Sequence, residues 1–263
     1  MNFTPRNPIA ECFQYREVLR NIISQDLKVK YRRTLLGYVW SLLNPVLQLV
    51  VLSLVFSHLV GRFGVENYTL FLFSGLIAWI FFQQSLTMSA ISLLQNENFI
   101  KKVYLPKVIF PLSKLCLRGI DFLFSLLALS LIGLIFGFTL KWTFALVPAA
   151  ALILFVFTLG LALLVSVATV YFRDVEYFLS LFLQLFYFLT PILYPISVLP
   201  EQYRPWVALN PLYSHIQLFQ KLIYFGVVPS PVEWGLAALW AVVSFAVGYS
   251  VMVLFEDDLV FMM

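Results

Sequence analysis

The chain has 263 residues, 62% of them hydrophobic and 11% charged, with a formal net charge of +4. A soluble domain carries about 25% charged residues, so this composition excludes a water-soluble globular protein and describes an integral membrane one. Apolar runs of about 20 residues indicate spanning helices, whereas a barrel strand alternates over about 10.

Residues 9–24 set Ile9, Phe13, Val18, Leu19, Ile22 and Ile23 mainly along one helical face, with Glu11, Gln14, Glu17 and Asn21 opposite. This is the pattern of an amphipathic helix lying in the membrane interface, serving as an anchor or as a docking platform. Residues 1–35 lack the apolar core and cleavage site of a signal peptide. Lys28, Lys30, Arg32 and Arg33 then meet the membrane. The run is a headgroup and orientation cluster, or it draws in an anionic, phosphate-bearing substrate.

Six spans follow, at 36–60, 69–94, 108–137, 144–170, 176–195 and 233–255. In the first, Thr34, Tyr38, Ser41, Asn44 and Gln48 recur at steps of three and four, and Pro45 loosens the helix. Thr34 and Ser41 suit helix–helix hydrogen bonds; Tyr38, Asn44 and Gln48 suit a translocation path at least as well. The second span carries Ser74, Ala78, Ser85, Ser89 and Ser92, a small-residue face for close packing. The loop at 95–107 mixes charges with Phe99, Ile100, Val103 and Tyr104. It reads as a short helix bounded by Pro106 that presents an apolar face to a cytoplasmic partner; the alternative is a solvated loop with snorkelling lysines.

At the start of the third span Lys114, Arg118, Asp121 and Ser125 share a face, and Arg118 can pair with Asp121. No second acidic residue lies deeper in the spans, which argues against a proton relay. The fifth span opens with Arg173, Asp174 and Glu176, then sets Tyr177, Ser180, Gln184, Tyr187, Pro191 and Tyr194 along one side. Such a stripe belongs against protein or water. Between the last two spans come Pro200, Pro205, Pro211, Pro229 and Pro231 among apolar positions, with Asn210-Pro211 a helix start. The region reads as short re-entrant helices capping a cavity.

Of the 17 Lys and Arg residues, all but Arg62, Lys141, Arg204 and Lys221 fall in residues 1–35, in 95–118 or just before the fifth span. By the positive-inside rule both termini are cytoplasmic. Most of the 27 Phe, 13 Tyr and 6 Trp belong to lipid-facing surface or interfacial belts. Those on the polar stripes are candidates to stack on sugars. No phosphate-binding loop, metal cluster or nucleophile–base arrangement stands out; Cys12 and Cys116, and His58 and His215, are far apart.

Several segments together resemble the membrane subunit of bacterial ABC exporters for polysaccharides, the type-2 class that serves O-antigen, capsule and teichoic acid. They are Asp26-Leu27-Lys28-Val29-Lys30-Tyr31-Arg32, Leu36-Gly37-Tyr38-Val39-Trp40, Leu43-Asn44-Pro45, Lys102-Val103-Tyr104-Leu105-Pro106 and Tyr171-Phe172-Arg173-Asp174-Val175. Thr190-Pro191-Ile192-Leu193-Tyr194-Pro195 and Leu209-Asn210-Pro211 complete the series. The acidic ending from Glu256 to Asp258 departs from the basic ending of that family.

The resemblance implies an all-α integral membrane fold of the type-2 ABC exporter kind. Residues 1–35 would form a cytoplasmic tail and 36–263 one six-span domain in the bacterial inner membrane. It implies a homodimer bound to two copies of a separate ATPase, which holds the ATP and Mg²⁺; this chain itself would bind no cofactor, metal or nucleic acid and would not be an enzyme. The cargo would be a polysaccharide on a polyprenyl-diphosphate carrier, most readily an O-antigen. The conduit would be lined by Tyr38, Asn44, Gln48, Tyr177, Gln184, Tyr187 and Tyr194. Coupling to the ATPase would fall to Arg16, Glu17, Glu97, Asn98, Phe99, Lys102 and Tyr104. The external gate, within 195–232 and the bend before it, would include Pro191, Pro195, Pro200, Asn210 and Pro211. A small-molecule or lipid exporter of the same class, or an ATP-independent secondary transporter, are the competing readings.

Overall fold

The computed structural model describes residues 14–32, 37, 39–60, 67–136 and 141–263. Arg33, Thr34, Tyr38 and the first part of the 9–24 segment lie outside the described residues. The described secondary structure is entirely helical. Helix α1 (Arg16–Tyr31) precedes α2 (Val39–Val60), which contains Pro45, and α3 (Tyr68–Ala90). Two single turns, α4 (Ser92–Gln95) and α5 (Glu97–Ile100), lead to α6 (Ile109–Phe136). A 3₁₀ turn, Trp142–Leu146, runs into α7 (Val147–Tyr171), followed by α8 (Val175–Leu189). After two further 3₁₀ turns come α9 (Arg204–Ala208), α10 (Pro211–Phe219), a π-helical turn at Gln220–Phe225, α11 (Pro231–Phe255) and α12 (Leu259–Met262).

Three stretches are long and apolar enough to cross a bilayer: Tyr68–Ala90, Trp142–Tyr171 and Pro231–Phe255. Helices α2 and α6, of 22 and 28 residues, are also long enough by length. Large apolar side chains are exposed along α2, α8 and α11, among them Leu54, Leu185, Leu239 and Val242. In water that much bare apolar surface drives association; against lipid it is the ordinary outside of a protein.

The core is built around α3, whose inward face includes Phe73, Leu76, Ile77 and Phe82. The buried Ser74, Ser85 and Ser89 lie on the small-residue face anticipated for this helix, and Ser92, also buried, opens α4. The closest pairing is α7 with α11. Ala237, Ala241, Ser244 and Gly248 recur at steps of four and three along α11. A Cβ at Gly248 would overlap the Gly160 carbonyl oxygen, and one at Gly160 would overlap the Ser244 backbone. Without these glycines the two backbones could not approach so closely, and Ser244 Oγ uses the approach to donate to Phe157 O at 2.7 Å.

The fifth expected span ends early. Residue 190 is extended (ψ 129°) because Pro191 disfavours helix in the residue before it, so α8 stops at Leu189, six residues short of 195.

Candidate functional site

On one side of the bundle α2, α3 and α8 enclose an open groove of about 830 Å³. Asn44 and Gln48 reach it from α2; Trp79, Gln83 and Gln84 from α3; Ser180, Gln184 and Tyr187 from α8. The three- and four-residue steps on α2 and α8 carry those side chains to one face of each helix. Helix α8 buries only Leu179 and Leu183 fully, which leaves its polar edge over the groove and Leu181, Phe182 and Leu185 outward. Trp79 Nε1 donates to Gln83 Oε1 at 3.0 Å, and the Trp79 and Tyr187 rings lie 5.2 Å apart, joining the α3 wall to the α8 wall. An amide stranded in hydrocarbon costs several kcal/mol. Protein partners meet part of the need of the five amide side chains on this groove, and water or a polar guest suits the rest.

A smaller cavity of about 100 Å³ adjoins the groove through the shared Asn44, Gln48 and Gln84, and Lys30, Arg118 and Asp121 line it. Lys30 Nζ donates to both Asp121 oxygens, at 2.6 and 2.8 Å. Arg118 Nη1 donates to Asp121 Oδ2 at 2.8 Å and to Gln84 Oε1 at 2.9 Å. Lys114 Nζ donates to Asp26 Oδ2 at 2.6 Å. Asp26 and Lys30 sit one turn apart on α1, and Lys114 and Asp121 two turns apart on α6, so the pairs fasten α1 along α6. Of the basic run, Lys30 is thus turned to Asp121, while Lys28 and Arg32 are exposed.

The residues expected to meet an ATPase gather at the same end. Arg16 and Glu17 are exposed on α1, and Asn98, Phe99, Lys102 and Tyr104 are exposed on and after α5. Glu97 is held by Lys101 at 2.6 Å. Behind them Ile100, Leu105 and Val108 join Leu163, Val167, Met252 and Leu259 in one apolar cluster, against which Tyr15 and, on α1, Val18 and Ile22 pack. The 95–107 segment is therefore amphipathic: its apolar side is split between an anchoring half and an exposed half.

At the other end of α8 the chain bends through Thr190, Pro191, Ile192 and Leu193, all buried. Three side chains hold the bend. Asn210 Nδ2 donates to Thr190 Oγ1 at 3.0 Å, Gln220 Nε2 to Pro191 O at 3.1 Å, and Tyr68 Oη to Leu193 O at 2.8 Å. Asn210 also caps α10, accepting from Leu212 N at 3.0 Å and Tyr213 N at 3.4 Å, with Pro211 at the first helical position. Helix α10 is buried along most of its length and packs on α3, α7 and α11.

Asn44, Gln48, Gln184 and Tyr187 thus share one groove. Tyr177 is exposed on the first turn of α8 outside its lining, and Tyr194 donates to Phe188 O at 3.2 Å beside Tyr68 and Leu193. Pro195 is half-buried and Pro200 exposed. The sequence reading left out Trp79, Gln83 and Gln84, although two adjacent amides inside an apolar helix were a visible signal. It also left out Tyr68 and Gln220, whose partners lie more than 25 residues away and carry no local signature.

The ABC-2 type transporter family profile matches residues 17–224. An O-antigen export system permease protein RfbA of Klebsiella pneumoniae is 35% identical over 212 residues, 80% of this chain and 81% of that one. Its Myxococcus xanthus namesake is 33% identical over 218 residues, 82% and 84% of the two chains. The polysialic acid transport protein KpsM of Escherichia coli is 21% identical over 226 residues, 85% and 88% of the two chains. With its helical, apolar architecture and this match over most of its length, the chain belongs to the ABC-2 type transporter family of membrane permeases.

Proposed function

We propose that this chain is the membrane subunit of an ATP-driven exporter that moves lipid-linked polysaccharide, most readily an O-antigen, across the bacterial inner membrane. The observation that carries the reading is the groove of about 830 Å³ between α2, α3 and α8. Its amides and tyrosine suit sugar hydroxyls and sugar C–H faces, and its open side runs between two helices whose apolar faces are bare. Two copies facing each other across α2 and α8 would close two half-grooves into one conduit. The permease names of the relatives support the cargo class.

In this reading the chain crosses the membrane six times with both termini cytoplasmic, and the segments after α8, including α10, re-enter from the periplasmic side as a gate. Two copies of a separate ATPase bind and hydrolyse ATP with Mg²⁺ and push on α1 and on the α5 segment. Nucleotide-driven closure then biases a two-state arrangement of α2 and α8 across the dimer. Lys28 and Arg32 face the headgroup region and meet the phosphates of a polyprenyl-diphosphate carrier. The test is deletion of the gene in its host, followed by complementation. Loss of surface polymer with cytoplasmic accumulation of the lipid-linked chain, restored by the intact gene, is the expected result. Unchanged surface polymer in the deletion refutes the reading.

A further inference from the structure

The carboxylate of Glu256, just past the end of α11, is buried at 7% exposure and accepts the backbone N–H of Lys107 at 3.2 Å. The Lys107 ammonium, itself on a residue only 4% exposed, stands 4.0 Å from the same oxygen and 5.2 Å from the centre of the Tyr104 ring. The contact joins residues 149 positions apart. Stability alone does not account for it. Replacing a buried ion pair by apolar side chains of similar volume is often neutral or stabilising, whereas a pair with directional bonds fixes one register between the parts it joins.

Those parts are specific. On one side is α11, whose backbone is interlocked with α7 through Gly160 and Gly248 and which carries α10 on its flank. On the other is the stretch from Glu97 to Pro106, which exposes Phe99, Val103 and Tyr104 and then turns into α6. The apolar cluster of Ile100, Leu105, Met252 and Leu259 packs the two together without a directional bond; the Glu256–Lys107 hydrogen bond adds one.

We propose that Glu256 is a positioning residue: it makes the α7–α11 pair and the 97–106 segment move as one body. A push on Tyr104 and Phe99 is thereby delivered to α11 and to α10 on its flank. This rests on the reading that the 97–106 segment docks on an ATPase.

The test uses the full permease–ATPase complex in nanodiscs, with Cys12 and Cys116 replaced by serine and spin labels at Val103 and Leu254. The label distance is measured without nucleotide and after ATP–vanadate trapping. With one doubly labelled protomer in each dimer, the intact complex should keep one distance in both states. Glu256→Leu, which removes the acceptor and leaves the buried Lys107 ammonium over the Tyr104 ring, should make the distance change with nucleotide. Glu256→Gln, which retains an oxygen for the Lys107 N–H, should restore the single distance. Glu256→Leu should also lower cargo-stimulated ATP hydrolysis about fivefold or more, while assembly and basal hydrolysis stay within about twofold. Identical distance distributions in Glu256→Leu and the intact complex would overturn the proposal. So would a proportional loss of assembly, basal and stimulated hydrolysis with the distance unchanged, which marks a merely structural role. Failure of polysaccharide to stimulate the intact complex counts against the cargo reading alone, because the label distances judge the tether without cargo.

Discussion

Asn210 holds two things at once, and replacing it separates them. Its side-chain oxygen caps α10 through Leu212 N and Tyr213 N, and its Nδ2 ties α10 to the bend after α8 through Thr190 Oγ1. Loss of an N-cap costs about 1 kcal/mol. Loss of the second bond strands little, because the Thr190 hydroxyl still donates to Phe186 O at 2.8 Å, so it costs about 0.6–1 kcal/mol in a membrane setting. Asn210→Ala should therefore destabilise the region by about 2 kcal/mol, a roughly 30-fold rise in the population with α10 detached. Asn210→Ser keeps the cap and loses only the link to Thr190, so it should cost about half as much. The assay is unfolding in mixed micelles, followed by tryptophan fluorescence, with limited proteolysis between 195 and 225 as the local readout. Protection and stability within about 0.5 kcal/mol of the parent for Asn210→Ala would refute the assignment, because surface changes away from any such bond fall in that range.

Three further outcomes follow from contacts already described. Gly248→Ala forces the α11 backbone away from the Gly160 carbonyl and should cost about 3 kcal/mol of unfolding free energy. Gly235→Ala on the same helix, where a Cβ meets nothing within 4 Å, should be neutral or stabilise by up to about 1 kcal/mol. Asp121→Asn removes the carboxylate that Lys30 and Arg118 share, leaves two half-buried cations facing each other, and should cost about 2 kcal/mol. Its signature is faster proteolysis at α1, absent from an exposed control such as Asp257→Asn. Gln48→Leu with Gln184→Leu removes two of the groove's five amides without changing helix packing. Polymer export should fall at least about tenfold, while micelle stability stays within about 0.5 kcal/mol; unchanged export would place the cargo path elsewhere.

The helices were legible because their signal is local. Hydropathy marked α3, α7 and α11 to within a few residues, since a bilayer demands a continuous apolar run whatever packs beside it. The polar edges of α2 and α8 were legible by spacing, and Asn210-Pro211 as a helix start by cap chemistry. Lys107 and Lys114 were not. Counted with the loop charges, both are in fact buried, and their partners, Glu256 and Asp26, are 149 and 88 residues away. Charge counting places a residue on a side of the membrane but says nothing of which carboxylate the fold brings to it. The acidic ending looked anomalous for the same reason: Glu256 faces inward, while Asp257 and Asp258 are exposed.

The prolines after α8 now have a physical reason. At 15 residues and 1.5 Å per residue, α8 spans about 22 Å, short of a hydrocarbon core of about 30 Å. In the six-span reading the crossing is completed by the irregular residues up to Pro195, the last helical bond of α8 running from Thr190 N–H to Phe186 O at 3.0 Å. Irregular backbone at that depth is tolerated only inside protein, and here Tyr68 and Gln220 donate to the Leu193 and Pro191 carbonyls while Asn210 braces the Thr190 side chain, from three separate segments. A continuous helix would have needed none of them, but it would also have left no joint between α8 and α10. The short helix ends in a bend held by side chains from three other segments. The gate proposed beside the polar groove requires a joint of that kind.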